Sequence, residues 1–494
     1  MNAARAVGVL FIIFVLAFSA VTPRAYASTD DTKTPIKHLI NIFLENHTFD
    51  NYFGTYPVDP SSPNQWIIAN LSTPTNLLQN SSLMSELTPI APGTFSTPDP
   101  IEGNTAYHIE WDHGHMDGFV EGGGTYSMTY YTAAQLGPIW DLAEEYSLAN
   151  MYFSPELSES DPNTLYYMAG FAPVINDYGP PPSMPFSQSI FGELESYGVS
   201  WGLFIPYQNL SATYSEWNKI SGMNNYPGNI LPWSSFVSDL SSGNLPAVSW
   251  VFSQDDNGTD QGPPSNIIPG EMWIMYMINE IEESPIWNST AVTITWDDPG
   301  GYYDQVLPPV IDGVQSGFRL PLIVVSPFAK EDYVSNTVMT HSSILAFIDY
   351  NWELPALNGY VSSVSVPLDI FDFDTPYAGN VISRASMPFN FGTNFPLPQQ
   401  PYFSLPSNTQ QLNISATFPM SPQYDLSTLP YQRHGATNFT LSSVSSEVFV
   451  TANTVIVPFY ASTYFLALLA AVNVALLVWG VRIGRRRGAG AEQQ

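Results

Sequence analysis

The chain has 494 residues, of which 44% are hydrophobic and only 12% charged, with 44 acidic against 13 basic side chains and a formal charge of −31. This length and apolar content supply one large α/β domain with an appendage, or two to three smaller domains, and exclude wholesale disorder. The sign of the charge excludes a nucleic-acid binder, because phosphate backbones require clustered Lys and Arg. The absence of Cys excludes disulfides and thiolate metal sites.

Met1 to Ala27 reads as a secretory signal: Arg5 gives the positive start, Val7 to Ala20 the apolar run, and Ala25-Tyr26-Ala27 an A-x-A cleavage pattern before Ser28. An uncleaved anchor is the competing reading. The apolar run Leu39 to Leu44 has the length and β-branching of a buried strand and ends in Glu45-Asn46-His47. A carboxylate and an amide at the carboxyl end of such a strand stand where open α/β sheets place ligand sites. Both are hard oxygen donors suited to a divalent cation, against the plainer reading of a polar strand end. Tyr56 to Pro100 is rich in Ser, Pro, Asn and Thr and reads as a surface excursion.

Leu136 to Leu148 fits a helical period. Ser158 to Met168, SESDPNTLYYM, carries Pro in its first turn and puts Ser160 at a helix start, where unpaired amides and the helix dipole favour a phosphate oxygen. A serine oxygen on a cation there becomes a nucleophile; a plain capping serine is the simpler alternative. Ala247 to Phe252, Ala291 to Trp296 and Leu320 to Ser326 are strand expectations. The strand at Thr293 runs into Asp297-Asp298 and then Gly300-Gly301, and adjacent acids repel unless a cation neutralises them. His341 precedes a helix expected over Ser342 to Tyr350.

From Val381 to about Val450 the composition turns to Pro, Ser, Thr, Asn and Gln, as in a small β-rich module or stiff stalk. Phe459 to Val481 is long and apolar enough to cross about 30 Å of hydrocarbon. Arg482, Arg485, Arg486 and Arg487 follow and place the C-terminus in the cytoplasm. The expected domains are therefore a signal at 1–27, a catalytic domain at 28–380, a module or stalk at 381–455, a transmembrane helix at 459–481 and a basic tail at 482–494. This places the bulk of the chain at the cell surface. N-x-S/T acceptor patterns begin at Asn70, Asn80, Asn209, Asn257, Asn288, Asn413 and Asn438, and at Asn46, which is expected to be spared because its amide is needed inside.

Taken in order, ENHTFDNYFGTYP, HMDGFV, SDPNTLYYMAG, VSWGLF, PAVSW, TWDDPGGYYDQVLPP and LPLIVVSPFA with THSSILAFIDYNWEL resemble the phosphoesterase family of bacterial non-haemolytic phospholipases C and acid phosphatases, within the alkaline-phosphatase-like superfamily. The resemblance spans roughly Pro35 to Leu357 and implies a mostly parallel sheet sandwiched by helices. It also implies metal ligands at Glu45, Asn46, Ser160, Asp297 and Asp298, a nucleophile at Ser160, a phosphate contact at His341, and a divalent cation. The implied substrate is a phosphate ester or phospholipid head group. The chain departs from the family's His pattern: Glu102 stands where a His is frequent, with His108 nearby, and Gln305 replaces the His of a DHV segment. An EHPP-like segment is replaced by Asp260-Gln261-Gly262-Pro263-Pro264. The alternative from another class is a surface glycoprotein that keeps the fold without turnover.

Overall fold

In the computed structural model of the chain, residues 31–56, 87–91, 93–177, 184–206, 219–253 and 259–375 are described. The signal segment, most of the Ser/Pro-rich excursion, the C-terminal module, the 459–481 span and the basic tail lie outside them. The chain divides into two units, and the second, Pro398–Gln423 with Ser445–Gln494, falls wholly outside the described residues. No helix among the described residues is long and apolar enough to cross a membrane.

In chain order the principal elements are β1 (His38–Leu44), α1 (Phe49–Phe53), α2 (Asn104–Trp111), α3 (Ala133–Glu145), β2 (Ser147–Ala149), α4 (Ser160–Ala169), α5 (Ile190–Tyr197) and β3 (Trp201–Ile205). They continue with β4 (Ile230–Pro232), α6 (Trp233–Ser242), β5 (Val248–Phe252), α7 (Ile268–Glu282), β6 (Thr290–Trp296), β7 (Leu322–Val325), β8 (Tyr333–Ser335) and α8 (His341–Asn351). The eight strands form one sheet in the order β8-β2-β7-β6-β1-β5-β3-β4. β1 is central and runs parallel to β5 and β6 on either side.

β1 holds the centre because six of its seven residues are buried, as a parallel strand covered on both faces demands. Its alternate side chains divide between two apolar clusters. Ile40, Ile42 and Leu44 pack with α3, α6 and α7, whereas Leu39 and Phe43 pack with α4, α5 and α8. Helices thus cover both faces. Asn41, fully buried in mid-strand, is satisfied across the sheet: its Nδ2 donates to the Ser249 carbonyl at 3.2 Å, and its Oδ1 accepts from Thr293 Oγ1 at 2.8 Å.

One expectation shifts. The helix expected over Leu136–Leu148 ends at Glu145, and Leu148 enters β2, where it pairs with Ile323 and Val334. Strand partners on both sides satisfy that backbone better than a further helical turn would. The strand expected over Leu320 to Ser326 forms as β7 and runs antiparallel to both β6 and β2, while the other pairings in the sheet are parallel, so the sheet is mostly parallel, as expected. The 87–100 segment of the surface excursion buries Ile90 and Thr97.

Candidate active site

Sheet register assembles the site. Leu44 and Trp296 are partners at the carboxyl ends of β1 and β6, so the residues that follow, Glu45-Asn46 and Asp297-Asp298, emerge side by side. The Asp297 amide donates to the Leu44 carbonyl at 3.1 Å, extending the pairing by one step. Asn46 then turns into the left-handed region, at φ 64°, and its backbone N–H donates to Asp297 Oδ1 at 2.9 Å. Gly300, at φ 60°, lets the Asp-Asp turn close on it; a Cβ there would meet the Asn46 carbonyl oxygen at 2.5 Å and Asn46 Cβ at 2.7 Å. Gly300→Ala is therefore expected to destabilise the chain by about 1–3 kcal/mol, read by urea unfolding.

Ser160 arrives from the opposite side as the first residue of α4, with Glu159 as N-cap. Its hydroxyl donates to Glu45 Oε1 at 2.7 Å and lies 3.3 Å from Asp298 Oδ2. The helix N-terminus offers fewer open amides than the sequence suggests. The Asp161 N–H is taken by Asp177 Oδ1 at 2.7 Å, Pro162 has none, and the Asn163 N–H reaches the Glu159 carbonyl at 3.4 Å. The serine is placed by carboxylates rather than by spare amides.

The electrostatics follow from crowding acids in a poorly solvated space. Burial, then the charges of Asp297, Asp298 and Asp260, raise the Glu45 carboxyl well above its usual range, partly offset by the Ser160 hydrogen bond. Burial and Asp297 do the same to Asp298, which is held by the Gly300 N–H at 2.7 Å and the Tyr107 hydroxyl at 3.2 Å. Asn46 Oδ1 and Asp297 Oδ2 are buried without a hydrogen-bond partner. Buried oxygens with no donor, among acids with no compensating base, are what a hard divalent cation satisfies. Among the described residues no three His, Cys, Asp or Glu side chains already stand in a metal-ligand arrangement. Glu45 and Asp298 close on the Ser160 hydroxyl instead, so the fit rests on the orphaned oxygens and the donor chemistry.

The remaining expected residues are distributed differently. His341 is fully buried behind the acids: its Nε2 donates to the Asp297 carbonyl at 2.7 Å and its Nδ1 accepts from the Tyr152 hydroxyl at 2.6 Å. Burial holds its pKa down to about 3, so the ring is neutral. Both nitrogens are engaged, which makes it a brace for the Asp297 peptide rather than an open phosphate contact. His108 is exposed on α2 with Nδ1 against the Asn104 carbonyl at 2.7 Å. Gln305 is turned to Asp50, its backbone N–H reaching Oδ2 at 2.8 Å and its Nε2 reaching Oδ1 at 3.2 Å. Asp50 in turn shares the buried Arg319 guanidinium with Asp304, at 3.0 and 2.9 Å, pinning the loop after Gly301 to α1. Glu102 does reach the site: its Oε1 accepts from Asn46 Nδ2 at 3.0 Å.

His47, next to Asn46, lies in the core between Tyr52 and Tyr302, with its nitrogens on Asn51 Oδ1 and the Gln261 carbonyl. The Asp260-Gln261-Gly262 segment covers Glu45, whose N–H donates to the Asp260 carbonyl at 2.9 Å. Sequence reasoning missed Tyr107, Tyr152 and Asp177; a lone Tyr or Asp in a helix or loop carries no pattern that marks it.

The carboxyl ends of β1 and β6 thus bring Glu45, Asn46, Asp297 and Asp298 together, with the Ser160 hydroxyl at the start of α4 against them. The model of the Phosphoesterase family matches residues 36–355, and the chain belongs to that family, hydrolases of phosphoric ester bonds. It is 25% identical over 397 residues to phospholipase C B of Mycobacterium tuberculosis, covering 66% of this chain and 75% of that one. It is 24% identical over 424 residues to a non-hemolytic phospholipase C of Burkholderia pseudomallei, covering 69% of this chain and 59% of that one. Among solved structures, a protein in the alkaline phosphatase superfamily from Vibrio parahaemolyticus aligns over 61% of this chain and 77% of its own, with a TM-score of 0.31 at 11% identity.

Proposed function

We propose that the chain is a divalent-metal-dependent phosphoric ester hydrolase whose nucleophile is the Ser160 hydroxyl. The observation that carries this is the placement of Ser160 Oγ, 2.7 Å from Glu45 Oε1 and 3.3 Å from Asp298 Oδ2, where half-buried Ser160 and Glu45 edge a cluster in which Asn46, Asp297 and Asp298 are buried. Glu45, Asn46, Ser160, Asp297 and Asp298 would hold the cation, which when bound supplies Lewis acidity, lowering the pKa of the hydroxyl and polarising a phosphoryl oxygen. Ser160 directs its proton at Glu45, and its oxygen attacks phosphorus in line. The bond from phosphorus to the alcohol oxygen breaks, and the alcohol takes a proton from solvent. Water then attacks the phosphoserine, Oγ leaves phosphorus, and the serine regains its proton. His341, braced on the Asp297 carbonyl, holds the Asp-Asp turn in place throughout.

The relatives' names favour phospholipid head groups over simple phosphate monoesters as substrates. The apolar 459–481 span and the arginines after it favour an extracellular domain tethered at its C-terminal end. The exposed His108 and enclosed His341 favour the rival, a surface glycoprotein without turnover, because neither His offers a proton to a leaving group. Hydrolysis of p-nitrophenyl phosphate and p-nitrophenylphosphorylcholine, measured with EDTA and after adding back divalent ions, separates the two. The hydrolase is expected to lose at least about 10²-fold in EDTA and to recover on reconstitution. Absence of turnover with every ion tried leaves the glycoprotein.

A further inference from the structure

One site contact was reached by a residue that departs from the family's pattern. Glu102 stands where a His is frequent in the family, yet its carboxyl meets Asn46 rather than open space. An amide side chain has two ends of nearly equal shape and opposite chemistry, an oxygen that accepts and a nitrogen that donates. A cation binds the first and repels the second. What fixes the rotation of Asn46 therefore decides whether it can be a ligand at all.

We propose that Glu102 is a positioning residue: its carboxyl holds the nitrogen end of the Asn46 amide and so commits the oxygen end to the cation. This rests on the metal-dependent reading above. Three observations converge on it. Asn46 Nδ2 donates to Glu102 Oε1 at 3.0 Å, while Asn46 Oδ1 is buried and has no partner. The Asn46 backbone is already pinned, by its N–H on Asp297 Oδ1 and by the close approach of Gly300, so rotation of the amide is the freedom left. Glu102 is itself held on both sides: the Ile101 N–H donates to the Gly123 carbonyl at 3.0 Å, and Asn104 bonds Asn176 Oδ1 at 2.8 Å and the Leu157 carbonyl at 3.0 Å. Partners that orient a ligand without touching the metal typically change metal affinity about 10- to 100-fold when removed.

The test is Mn²⁺ binding to the full chain by electron paramagnetic resonance, together with the Mn²⁺-induced rise in unfolding temperature, for wild type, Glu102→Gln and Glu102→Leu. Glu102→Gln keeps an acceptor for Asn46 Nδ2 and is expected to bind within about threefold of wild type; Glu102→Leu is expected to bind about 10- to 100-fold more weakly. Equal binding by all three proteins overturns the assignment. Equal impairment of Gln and Leu also overturns it, since the carboxylate charge, not the orientation of Asn46, would then matter. If wild type binds no divalent ion, the metal-dependent reading fails and this inference falls with it, a result recognisable because no variant is needed to obtain it.

Discussion

Ser160→Ala is expected to lower turnover of either nitrophenyl ester by at least about 10³-fold, because removal of a nucleophile leaves only the binding and electrostatic remainder of a site's catalysis. The fold is expected to tolerate the change. Ser160 is half-buried at the first position of α4, Glu159 serves as the N-cap, and the Asp161 amide is satisfied by Asp177 without the hydroxyl. Ser160→Thr, which keeps a hydroxyl at the same atom, is expected to retain far more activity than the alanine variant. The measurement is kcat and kcat/KM for the three proteins with matched metal content. Equal rates in wild type and Ser160→Ala would end the nucleophile assignment and require water itself to attack.

The strand ends carrying Glu45-Asn46 and Asp297-Asp298 were legible in the sequence because an apolar run that stops at acids has few readings. The helix start at Ser160 was legible through Pro162 for a similar reason. Their convergence was expected only through the family resemblance: it depends on β1 and β6 being sheet neighbours in the register that pairs Leu44 with Trp296, a long-range fact no local pattern encodes. His341 shows the other limit. Its place before a helix could be read, but which way the ring faces is set by the Asp297 carbonyl and Tyr152, residues far away in sequence. The same holds for Gln305 and His108, whose partners are Asp50 and the helix backbone. Glu102 could be counted into position, yet its role emerged only from the atom it bonds. Leu148 entered a strand because β7 and β8 offered it pairing on both sides, a tertiary effect that overrides a helical period.

Acidification from pH 8 to pH 5 is expected to stabilise the fold. Glu193 on α5 and Asp349 on α8 are buried against each other: burial, then the charge and hydrogen bond of Asp349, raise Glu193 to about 8, and burial raises Asp349 to about 6 against the Leu357 N–H and the Glu193 hydrogen bond, which lower it. Glu282, buried with Oε1 on the Tyr146 hydroxyl at 2.6 Å, is raised to about 7. Glu271 is buried with both carboxyl oxygens unpartnered, and burial pushes it well up. Each of these groups binds its proton more tightly folded than unfolded. Their contribution is fully present below the unfolded value near 4 and is lost as pH rises through the folded values, between about 6 and 8. The Glu193–Asp349 pair contributes to that loss through both carboxyls, and a domain's marginal stability makes such a loss visible in unfolding. Mutual repulsion among the 44 acidic side chains, against 13 basic ones, acts in the same direction. Urea midpoints at pH 5, 6.5 and 8 measure the slope, and Glu193→Gln is expected to flatten it by removing the pair's shared proton. A stability maximum at pH 7 to 8, or an undiminished slope in Glu193→Gln, would assign these carboxyls ionised partners that their surroundings do not supply.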